Sequence, residues 1–214
     1  MATTAHSAIL DRLLDLHGRT YCDELHIKIE SNQPSGLFRL MTFALLASTR
    51  ISADLAVRGA DALHKAGWNT AESMAQATWE QRVKVLNEAG YARYDERTSS
   101  MLGDTCDFLL DRYRGDLRRL RDEADRVVGR ERELLKELKG IGDTGVDIFF
   151  REVQAAWDEV YHYVDGRALD AAKRLGLGGD ADALSKLVAK KDYPRLAVAL
   201  VRVALADDYE RVAA

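Results

Sequence analysis

Apolar residues recur along this chain with the 3.6-residue period of an amphipathic helix, and no segment alternates long enough to make a strand. The pattern predicts an all-α protein. Ile9, Leu13, Leu14 and Leu16 mark a first helix that stops near Gly18. Past Pro34, Ser35 can cap a helix through Leu37, Leu40, Met41, Ala44 and Leu45. A break at Arg50-Ile51-Ser52 leads to a helix carrying Leu55, Val57 and Leu63, closed by Gly67. Thr78 with Gln81 has the capping-box spacing before Val83, Val85 and Leu86, and Gly90 ends that helix. A long helix from about Tyr94 to Tyr113 and a short one from Asp116 follow. Two more helices flank a glycine-rich turn at residues 139–142. The last ones lie around Leu169, Leu184 and Leu196 to Leu205, where Asp192 and Pro194 occupy a cap and a first helical position.

Short turns join these ten or more helices, and no Pro/Gly/Ser-rich linker, internal repeat or low-complexity tract separates them. A division into lobes would therefore be intimate, with the first helix and the last few in one lobe and the middle of the chain in the other. With 214 residues, 47% hydrophobic and 31% charged, the chain can bury a sizeable core. No run approaches the roughly 20 apolar residues of a membrane span, and the first residues lack the features of a secretory signal, so a cytoplasmic protein with no membrane partner is expected. Cys22 and Cys106 are far apart and read as buried thiols. His6, His17, His26, His64 and His162 have no metal-ligand spacing, so no metal site is expected. Trp68, Trp79 and Trp157 sit at apolar helical positions and read as core.

The chemistry concentrates in two places. Leu138-Lys139-Gly140-Ile141-Gly142 joins two amphipathic helices, and such a hairpin lets backbone N–H groups approach a phosphate oxygen with no Cβ in the way. Phosphate contacts hold a duplex in register without reading sequence. Downstream stands Val164-Asp165, with Asp165 placed to cap the turn Gly166-Arg167-Ala168. The formal net charge of −4 runs against a polyanionic ligand. Arg112, Arg114, Arg118, Arg119 and Arg121 precede the hairpin, yet they alternate with Asp111, Asp116, Asp122, Glu123 and Asp125 and read equally well as a solvated, internally paired surface.

Together these segments resemble the helix-hairpin-helix DNA glycosylase superfamily, most closely its endonuclease III branch. Leu138, Gly140, Ile141 and Gly142 meet the family's hairpin pattern; Val164-Asp165 and Arg174-Leu175-Gly176-Leu177 meet its Val-Asp helix and that helix's end; Leu45-Leu46-Ala47-Ser48-Thr49-Arg50 and Gly90-Tyr91 resemble two upstream signatures. The matches run in family order from about Ser35 to Ala206. The resemblance implies a six-helix barrel over 30–154, its helix-hairpin-helix at 128–155, and a second lobe from 1–29 and 155–214. It also implies a monomeric binder of double-stranded DNA that flips a damaged or mismatched base out of the duplex and removes it. Asp165 would stabilise the oxocarbenium-like sugar. Lys139, Gly140, Ile141, Gly142 and Arg167 would contact DNA, and Arg50 stands where the family's wedge glutamine fills the gap left by the base. No cofactor is implied beyond a monovalent cation at the hairpin.

Several positions depart from the family. Thr144 stands where bifunctional members carry the Schiff-base lysine, so a monofunctional glycosylase with no or weak lyase activity is expected unless Lys139 or Lys136 intrudes. Leu40 to Ala44 contain no acid to protonate adenine, and no cysteine follows Cys106 to hold the branch's iron–sulfur cluster. Asp143 places a negative charge beside the hairpin. The other reading is a non-catalytic DNA-binding protein that keeps the fold.

Overall fold

The computed structural model describes the backbone of residues 2–214 and the side chains of residues 6–214. Among the described residues the chain forms fourteen α-helices and no strand. They are α1 (Ala2–His17), α2 (Tyr21–Glu24), α3 (Pro34–Ala47), α4 (Ala53–Lys65), α5 (Ala71–Gln76), α6 (Trp79–Glu88), α7 (Asp95–Tyr113), α8 (Leu117–Glu123), α9 (Val128–Lys136), α10 (Asp143–Val153), α11 (Gly166–Arg174), α12 (Ala181–Ser185), α13 (Tyr193–Ala206) and α14 (Tyr209–Ala213). The all-α expectation holds.

The chain divides into two compact units, Leu25–Phe149 and the combination of Met1–Glu24 with Phe150–Ala214. Each join falls five residues before the expected boundaries at 30 and 155, so the division cuts α10. The last turn of α10 explains the shift at the second join. There Arg151 and Glu152, with Gln154 just beyond, bond to Asp165, to Tyr21 and Cys22, and to Tyr163, all in the terminal unit.

In the central unit α3 is the hub, packing on α4, α7 and α8. Leu37, Phe38 and every residue from Leu40 to Leu46 are buried, so this helix is enclosed on all sides rather than amphipathic. Tyr91 is buried too, its hydroxyl donating to the Leu46 carbonyl at 3.0 Å. Arg82 is 7% exposed, and its guanidinium donates to the carbonyls of Ser99, Met74 and Ala77, joining α5, α6 and α7. The terminal unit repeats the plan around α13, which packs on α1 and α11. Leu13, Ala168, Ala172, Leu196 and Leu200 meet in its core.

Some local expectations change. The helix read from Ser35 begins at Pro34, whose fixed φ suits a first turn, and Gln33 precedes it with no side-chain cap bond. Asp192 precedes α13 but likewise makes no cap bond. The Thr78–Gln81 capping box forms, and a second joins Thr70 to Ser73, a pair lacking the usual Glu or Gln. Trp157 is fully buried and Trp68 half-buried, whereas Trp79 is 38% exposed because it opens α6, where its indole N–H reaches Ser100 Oγ at 3.1 Å. Cys22 and Cys106 are free and buried, and burial pushes the Cys106 thiol up to about 12.

Arg82→Met would remove the side-chain donor that three carbonyls share, of which Met74's keeps the Ala77 amide, so it should cost about 3 kcal/mol in urea unfolding, against no change for a surface arginine such as Arg58. Glu152 gives a second expectation. Burial pushes its carboxyl up, and hydrogen bonds from Cys22 and Tyr21 pull it partly back. With the folded pKa above the ordinary 4.5, its contribution to stability is complete below that pH and is lost as pH rises through the folded value. The stability of wild type relative to Glu152→Gln should therefore fall as pH rises from about 4.5 towards neutrality.

Candidate nucleic-acid interface

The hairpin is fixed by its two apolar residues. Leu138 and Ile141 are buried, and the Ile141 amide bonds the Leu138 carbonyl at 3.0 Å, while Lys139, Gly140 and Gly142 face solvent. Beneath the turn, Thr105 Oγ1 on α7 donates to the Lys139 carbonyl at 3.0 Å. Gly140 has φ +87°, and a Cβ there would lie 2.7 Å from Met101 Sδ, so this position requires glycine on both backbone and steric grounds. At Gly142 a Cβ would meet nothing within 4 Å, so that glycine leaves an open approach to the start of α10. The first internal bond of α10 runs from the Val146 amide to the Gly142 carbonyl, leaving the preceding N–H groups of its first turn without intrahelical acceptors.

The same surface gathers the loop after α3. A Cβ on Gly145 would lie 2.9 Å from Ser48 Oγ, so the first turn of α10 lies close against the segment that carries Arg50. Arg50 is exposed, and among the described residues no ion pair joins it to Asp54. Thr144 is exposed as well. Within the central unit, then, Lys139, Gly140, Gly142, Thr144 and the Arg50 loop share one region, with Ile141 as their buried anchor.

Charge here is balanced rather than basic. Arg132 on α9 pairs with Asp147 at 2.7 Å and Asp143 at 3.3 Å, and Lys136 with Glu133 at 2.9 Å and Asp143 at 3.6 Å. The Lys136 ammonium is raised above its ordinary value, first by the Glu133 hydrogen bond. In the arginine-rich stretch upstream, Arg112 bonds Glu123 and Glu137 and Arg118 bonds Asp116, and beyond it Arg130 bonds Asp125.

Asp165 belongs to the terminal unit, where it is the N-cap of α11. Its Oδ1 accepts from the Ala168 amide at 3.0 Å. Its Oδ2 accepts from Arg151 Nη2 at 2.6 Å and Nε at 3.0 Å, and both side chains are 6% exposed. Gln154 holds the approach to this cap, accepting from the Tyr163 amide at 2.8 Å and donating to the Tyr163 carbonyl at 3.1 Å. Arg167 lies exposed on the first turn of α11. Arg151, Glu152 and Gln154 escape sequence reasoning, because adjacent polar residues at a helix end look solvated until buried partners are found for them. Among the described residues no group of three His, Cys, Asp or Glu converges on a metal position, and no helix is long and apolar enough to cross a membrane.

Comparison with solved structures identifies this architecture. The chain has the fold of endonuclease III. It matches the structure of a trapped endonuclease III–DNA covalent intermediate, an estranged-adenine complex, with a TM-score of 0.51 and 19% identity over 78% of this chain and 73% of that one. It matches a non-covalent endonuclease III–DNA complex with a TM-score of 0.52 and 18% identity over 78% and 72%. At such identity the likeness establishes the fold alone. Models of known protein families and curated protein sequences give no match.

The buried pair sets an expectation for Asp165. Asp165→Asn removes one charge from a pair that water barely reaches and strands the Arg151 guanidinium. The variant should lose about 3 to 5 kcal/mol in chemical unfolding. A loss below about 1 kcal/mol would mean that the pair is solvated and dispensable.

Proposed function

We propose that this chain binds duplex DNA without sequence preference, taking hold of one strand's phosphates at the Lys139–Gly142 hairpin. The reading is carried by the exposed glycine turn, with open space at Gly142 and unshared amides at the start of an eleven-residue helix. The endonuclease III fold, seen elsewhere in complexes with DNA, supports it. Arg50, exposed on the neighbouring loop, is the side chain suited to enter a disturbed base stack, because its planar guanidinium can stack and hydrogen-bond together.

Removal of a damaged or mismatched base is the finer reading, favoured by the fold and by Asp165 opening α11. In it the Asp165 carboxylate would stabilise positive charge growing on the sugar. The occupied state of that carboxylate favours binding alone. One oxygen serves the Ala168 amide and the other the Arg151 guanidinium, so a developing cation would meet a pair already neutralised. Thr144 offers a hydroxyl, which cannot form an iminium, so neither reading draws lyase chemistry from that position.

A panel of labelled duplexes carrying uracil, thymine opposite guanine, oxidised pyrimidines or alkylated purines tests the proposal. Binding should be similar across the panel, should weaken steeply between about 50 and 200 mM salt, and should release no base. Gly142→Glu, which fills open space with a negative charge, should weaken every duplex roughly tenfold or more while the unfolding midpoint stays put. Release of one base by wild type, lost in a folded Asp165→Asn sample, would instead establish the glycosylase reading.

A further inference from the structure

Resting on the hairpin reading above, we propose that Asp143 is an internal stand-in for a DNA phosphate. Its carboxylate holds Arg132 and Lys136 beside the hairpin and has to be displaced before those two cations reach the duplex backbone.

The geometry is that of an exchangeable third partner. Arg132 has a closer acid in Asp147, 2.7 Å against 3.3 Å, and Lys136 a closer one in Glu133, 2.9 Å against 3.6 Å. Both cations therefore stay anchored when Asp143 leaves, so they need not be ordered again to meet a phosphate. Asp143 is itself 71% exposed, and ion pairs so open to water are weak and screened by salt. It is also the first residue of α10, directly after Gly142, so its carboxylate and a hairpin-bound phosphate would compete for one small region of positive potential. An acid at this position explains how a chain of net charge −4 can carry a phosphate-binding turn without holding every polyanion it meets. Affinity is set by a swap of anions on Arg132 and Lys136 rather than by the amides alone.

The test is a double-mutant cycle on duplex binding with full-length protein, each variant checked for folding by circular dichroism. Asp143→Asn should tighten binding about threefold to tenfold at low salt and steepen the salt dependence, because additional counterions are released from the DNA. Asp170→Asn, on α11 and 81% exposed, serves as the control for net charge and should change binding much less. Lys136→Met should then cost more affinity in the Asp143→Asn background than in wild type, since there the lysine meets the phosphate without first giving up the Asp143 carboxylate. Equal costs in both backgrounds, or no tightening by Asp143→Asn beyond the Asp170→Asn control, would overturn the exchange mechanism while leaving DNA binding intact. Absence of duplex binding by wild type and Asp143→Asn alike would reject the hairpin reading and this proposal with it.

Discussion

The buried ion pair between Arg151 and Asp165 is the constraint on which the junction of α10 and α11 depends. A carboxylate and a guanidinium that are each 6% exposed can persist only together, because either alone would carry an uncompensated charge in a poorly solvated place. Arg151 stands on the last turn of the helix that starts at the hairpin, and Asp165 caps the next one. One pair thus fixes both the end of α10 and the start of α11. Gln154 reinforces it by holding both backbone groups of Tyr163, so the connection between the two helices has little freedom.

The same economy recurs wherever polar groups are buried. From α6, Arg82 gathers carbonyls of α5, its C-cap and α7, and Glu152 accepts the amides that open α2. Most of these contacts satisfy backbone groups that short helices leave exposed at their ends, a recurrent demand where the described residues form fourteen α-helices. The hairpin is the exception. Its Leu138 and Ile141 are buried, while among the described residues the amides of Lys139, Gly140 and Gly142 make no internal backbone bond, a pairing of rigidity and unmet hydrogen-bonding capacity that suits an anion.

Electrostatics decide how strongly that capacity is used. Arg132 and Lys136 beside the hairpin, and Arg112, Arg118 and Arg130 upstream of it, each face an acid of the same unit, so much of the local positive charge is already paired. A polyanion would have to compete with carboxylates already in place, which makes affinity sensitive to salt and to single substitutions.

Much of this was legible in the sequence for physical reasons that act locally. Helical periodicity, the Thr78–Gln81 box, Pro34 at a first turn and the glycines of the hairpin follow from backbone sterics and hydrogen bonding within a few residues, as does the capping role of Asp165. Other features depended on partners remote in the chain. The capping box of Thr70 and Ser73 and the brief helices α2 and α14 carried too little periodic signal. Nothing in the run Arg151-Glu152-Val153-Gln154 distinguishes a solvated helix end from a buried polar core until Tyr21, Cys22, Tyr163 and Asp165 are brought to it. The sequence by itself determined the helices, their caps and the glycine turn, because those obey short-range rules. Only the tertiary structure decided which charges are quenched, since that is a matter of distance in space and of how much water is left between them.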